Sequence, residues 1–170
     1  MGSIPSEGAN FSLRGASDMK LGEALKLRSD NLRKIEELRV RAVASAQIQE
    51  GTKPPDDSNE LIAEIERLRG ETTDLIQRIN RTNVATRLSD GSVLADALAQ
   101  RDAYLALRGA LQGIAKAAAE PQQRYMRSEI RVVRTVDAAA ILKRADDLSR
   151  KHRQLDALIQ ELNWSTELTD

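Results

Sequence analysis

From Ile141 to Leu162 the chain places Ile141, Ala145, Leu148, His152, Leu155, Ile159 and Leu162 at alternating steps of four and three. In an α-helix those steps bring every member onto one stripe, and a sustained stripe of this kind is buried against another helix. Three more stretches carry the same signature. Leu21, Leu25, Leu32, Ile35, Ala42 and Ala46 share a face, as do Leu61, Ile65, Leu68, Leu75 and Ile79 around a polar Thr72, and Leu94, Leu98, Leu105 and Leu111.

Helix boundaries follow from caps and breakers. The first helix is predicted from about Leu21 to Gln49, stopped by Gly51, Pro54 and Pro55. The second starts after Asp57, which with Glu60 has capping-box spacing, and frays near Asn83. Asp90-Gly91 is a turn pair, Ser92 is the expected cap of a third helix reaching about Ala119, and Pro121 ends it. The fourth is expected from Val136 or Asp137 to Asn163, capped by Thr135. Between helices three and four the β-favouring Ile130, Val132 and Val133 predict a short extended segment around 124–135, pairing with 85–88. Residues 1–18, rich in Gly and Ser, read as a disordered leader or tag outside the fold. The expectation is all-α: one helical-bundle domain over 19–168, four long helices packed antiparallel.

Composition supports helices and narrows function. Aromatic residues are only 2 % of the chain, fewer than sheet cores usually carry. With 26 basic and 26 acidic residues there is no charge excess to recruit nucleic acid or anionic membrane. The chain has no Cys, so thiolate catalysis, disulfides and thiolate metal sites are excluded, and a cytoplasmic location is expected. His152 is the sole histidine, and Ser149 stands where a Glu-x-x-His metal motif needs glutamate. No cofactor or metal is expected.

Two constellations remain. The first is polar: Asn80, Arg81, Asn83 and Arg87 crowd the end of helix two, and Trp164 is expected at the same end. Asp96 and Arg101 add charge near the seam of helix three. Amides and guanidiniums so placed suit a carboxylate or phosphate, while also being ordinary turn and cap residues. The second is apolar. Between Ala103 and Ala119 only Arg108 and Lys116 are charged, and Gly109 and Gly113 form a Gly-x-x-x-Gly pair. Glycines cost a helix about 1 kcal/mol each, so a compensating close contact is expected. Gly109 and Gly113, with Tyr125, Ile130 and Val132, are the candidate oligomer contacts.

Several segments together resemble a small bacterial family: MKLGEALKLRSD at 19–30, RINRTN at 78–83, ADALAQRD at 95–102, RYMRSEIRVVRTVD at 124–137 and LIQELNWSTEL at 158–168. Its members are described as uncharacterised or, in many cases, as septicolysin. The resemblance implies an all-helical, cytosolic protein of no established activity. The septicolysin name implies membrane lysis. The cholesterol-dependent toxins that bear that name carry a tryptophan-rich loop, commonly with a cysteine; this chain has one Trp and no Cys, so no toxin residue carries over. The leading expectation is a non-enzymatic, homo-oligomeric interaction or scaffold protein. The alternatives are small-molecule or anion binding at the polar cluster, enzymatic in the extreme, and a membrane-active cytolysin.

Overall fold

The computed structural model describes residues 19–120 and 133–170. The expected leader, and residues 121–132 of the predicted extended segment, with Tyr125, Ile130 and Val132, lie outside the described residues. The fold is all-α. The described residues form four helices: α1 (Leu21–Ser45), α2 (Ser58–Ala85), α3 (Leu94–Ala119) and α4 (Ala138–Ser165). They are organised as two compact units, one of residues up to Thr82 with Asn163–Asp170, the other Asn83–Leu162.

In the first unit α1 and α2 form a hairpin. Ile35 and Leu38 pack with Leu61 and Leu68, and Ala42 and Ile65 close over them. Each such leucine or isoleucine contributes roughly 1.5–3 kcal/mol when fully buried. Leu32, predicted inside, is exposed, whereas Asn31 and Leu38 are buried. Of the six predicted positions Leu21 and Ile35 are buried and Leu25 and Ala42 half-buried, so the stripe holds except at Leu32 and Ala46. In α2 the predicted stripe is the buried one, and Thr72 meets its burial by donating its hydroxyl to the Leu68 carbonyl at 2.7 Å.

α1 ends at Ser45, short of the predicted Gln49. There the returning loop takes over: the Asp56 amide donates to Ser45 Oγ at 3.3 Å, and Arg41 grips the Asp56 carboxylate at 2.5 and 3.1 Å. Gly51 has φ +84°, the left-handed conformation that turns the chain back. Asp57 then accepts from the amides of Asn59 and Glu60, which caps α2 as predicted.

In the second unit the turn before α3 is self-contained. Arg87 and Val93 form an antiparallel bridge, with Leu88 N–H donating to Ser92 O and Leu94 N–H to Thr86 O, both at 2.8 Å. The 85–88 stretch therefore pairs with the residues just after its own turn. Gly91, at φ +86°, supplies the positive φ. Two expected caps are corrected. Val93 occupies the N-cap position of α3, because the Ser92 hydroxyl is donated to Asp90 instead. Asp137 caps α4, accepting from Ala139 and Ala140 at 2.9 and 3.1 Å, because its carboxylate reaches those amides one turn in, two residues beyond Thr135. The α4 stripe from Ile141 to Leu162 is buried or half-buried throughout, as its spacing demands.

Candidate functional site

In the first unit a clasp joins the two chain segments. The amide of Leu21 donates to Thr166 O at 2.9 Å and that of Leu168 to Met19 O at 2.8 Å. Leu168 is buried, and Lys20 bridges to Glu167 at 3.2 Å. The tail then meets α2. The Thr169 amide donates to the buried Thr82 hydroxyl at 2.9 Å, which itself donates to Arg78 O. Arg78 binds the Asp170 carboxylate at 2.7 Å, and Arg81 Nε donates to the Asp170 backbone oxygen at 2.9 Å. The α2 guanidiniums that suggested an anion site hold the chain's own tail. Asn80 is exposed beside them. Trp164 is 57 % exposed, yet its ring lies against Gly22: a Cβ there would sit 2.9 Å from the ring and 3.1 Å from Asn163 O.

The other polar candidates lie in the second unit. Asn83 is half-buried, and Arg87 donates to Gly91 O at 2.9 Å, bracing the turn. Arg101 pairs with Asp102 at 2.9 Å and reaches Asp156 of α4 at 3.5 Å. Asp96 is exposed and lines an open groove of about 460 Å³ between α3 and α4. The groove is lined by apolar Ala97, Leu155 and Leu158 and by polar Asp90, Gln100, Tyr104, Lys151 and Gln154. Ser92 donates to Asp90 through its hydroxyl at 2.6 Å and its amide at 2.9 Å, which holds that carboxyl below the usual carboxylate range. Asp90 is therefore a fixed anion at neutral pH, unsuited to act as a proton donor. The groove escaped sequence reading because Gln100, Lys151 and Gln154 look like ordinary surface residues.

The two faces of α3 differ sharply. Its inward face runs through Leu94, Ala97, Arg101, Tyr104, Arg108, Leu111 and Ala115, all buried or half-buried. Arg108 Nε is shielded from solvent and has no hydrogen-bond partner among the described residues. Diametrically opposite, Ala103, Ala106, Ala110, Gly113 and Ala117 recur at steps of three and four, and all are exposed. Leu107 and Ile114 border them at 49 % and 48 % exposure. A Cβ on Gly109 or Gly113 would find nothing within 4 Å, so within the described residues neither glycine is spent on a close contact.

No helix of the described residues is long and apolar enough to cross a membrane. Among curated proteins, no match is found. A solved structure, described as a functionally unknown conserved protein from Corynebacterium diphtheriae, is 44 % identical with a TM-score of 0.83. That match covers 89 % of this chain and 99 % of the other. Residues 28–168 match the profile of a family of unknown function, DUF6847, and with so much of the chain matched the protein belongs to that family.

Proposed function

We propose that the protein is a non-enzymatic helical interaction module that works as a homo-oligomer in the cytoplasm. The outward face of α3 carries this reading. A helix surface free of charge for four turns, edged by half-exposed Leu107 and Ile114, is costly to leave in water. Gly109 and Gly113 lower helix propensity and are not used for close packing within the described chain, which a partner helix would justify. The face of Ala103–Ala117 is about 20 Å long at 1.5 Å per residue, so its contact falls at the small end of specific interfaces and the expected affinity is micromolar. Sedimentation velocity across a micromolar concentration series tests this. A sedimentation coefficient that rises with concentration is expected; a monomer throughout would refute the proposal.

A second reading is small-molecule binding, favoured by the groove whose lining combines Asp96 and Lys151 with apolar Ala97, Leu155 and Leu158. Thermal-shift screening with amines, carboxylates and phosphates tests it, and an unmoved Tm across that panel would remove it. Membrane lysis rests only on the resemblance to proteins called septicolysin; liposome flotation that leaves the protein unbound would dispose of it.

A further inference from the structure

Resting on the self-association just proposed, we infer that its partner is a second copy of α3, docked antiparallel about a two-fold axis beside Gly109 and Ala110. The inference comes from the charges that edge the apolar face. Asp102 and Lys116 lie on the same side of it, each seven residues, about two turns, from Gly109. Both are largely exposed, at 68 % and 79 %. Turning a second chain about the proposed axis sets Asp102 of each copy opposite Lys116 of the other, giving two symmetry-related ion pairs. In a parallel two-fold pair the same flank of each helix falls on opposite sides of the seam, so Asp102 and Lys116 would form no pair across it. In antiparallel helix pairs these flanking positions face each other across the seam and choose orientation. The intrachain contacts leave room for this. Arg101, which binds Asp102, also has Asp156, and Lys116 meets Glu120 only at 3.9 Å. The small residues of the face let the backbones approach, while Leu107 and Ile114 close one border of the seam.

Charge reversal tests the register. Asp102→Lys and Lys116→Asp should each weaken dimerisation by about tenfold, since two pairs are lost and two repulsions gained. The double variant D102K/K116D should recover to within about threefold of the unaltered protein. Because the chain has no Cys, Ala110→Cys gives a single probe at the axis, and it should cross-link to its own copy much faster than Asn80→Cys in the other unit. Far-ultraviolet circular dichroism of each variant confirms folding. A dimer indifferent to all three charge variants, with equal cross-linking at both positions, would overturn this register while sparing self-association. A monomeric parent protein would overturn both.

Discussion

One substitution, glycine to alanine, is expected to have opposite signs at two helical positions. At Gly70 in α2 an added Cβ meets nothing within 4 Å among the described residues, and the site is exposed. Only helix propensity acts there, so Gly70→Ala should stabilise by about 1 kcal/mol and raise Tm by about 2–4 °C for a chain of this size. At Gly22 in the first turn of α1, the same methyl would sit 2.9 and 3.0 Å from atoms of the Trp164 ring and 3.1 Å from the Asn163 carbonyl oxygen. The ring could swing away, but the carbonyl belongs to the α4 backbone and cannot move cheaply. Overpacking of this kind costs roughly 1–3 kcal/mol, and the propensity gain offsets under about 1 kcal/mol of it. The net expectation for Gly22→Ala is a loss of about 1 kcal/mol. Urea denaturation followed by circular dichroism measures both variants, and repeating Gly22→Ala in a Trp164→Ala background should shrink its cost. A rise at Gly22→Ala as large as that at Gly70→Ala would refute the close approach of Trp164.

Three further expectations follow from particular contacts. Arg108→Leu removes a shielded donor, without a partner among the described residues, from the apolar seam of α3, and should stabilise by about 1 kcal/mol in the same denaturation assay; a destabilised variant would count against the burial of Nε. Leu168→Ala empties the clasp's anchor and should cost about 2–3 kcal/mol, with amide exchange at Leu21 accelerating; unchanged exchange there would show that the clasp is not closed in solution. The Arg41 guanidinium hydrogen-bonds Asp56 and holds its carboxyl below the ordinary value. The stabilisation is therefore present above the unfolded-state value of about 4 and is lost as pH falls through the folded one. Asp56→Asn should flatten the acid limb of the Tm–pH curve, and superimposable curves would negate the pairing.

What was legible in the sequence depended on how strongly a signal outweighed its alternatives. The α4 stripe and that of α2 were readable because seven-residue spacing of branched apolar residues leaves few ways to bury them. In α1 the stripe holds at Leu21, Leu25, Ile35 and Ala42 and fails at Leu32, while Asn31 and Leu38 are buried, Leu38 packing with Ile35 against Leu61 and Leu68. Caps were harder to place: Val93 holds the N-cap position of α3 with no side-chain hydrogen bond, and Asp137, not Thr135, accepts from the first amides of α4. Only geometry shows that Ser92 donates to Asp90 and that Asp137 wins. The polar cluster was visible as composition, but not what it touches. Arg81 holds Asp170 across 89 positions of sequence, a contact no local pattern encodes. The groove was illegible because amides and one lysine, spread over two helices, carry no spacing rule.

Met19 and Leu168 share a hydrogen bond although nearly the whole fold lies between them. In a chain rebuilt from residues 19–170, a few flexible residues would therefore suffice to join residue 170 to Met19, with the chain opened instead at exposed Gly51 between α1 and α2. Such a rewired chain would cut no described helix and would open at the end of the α1–α2 hairpin away from the clasp, where a fluorophore or surface tether would stand clear of it.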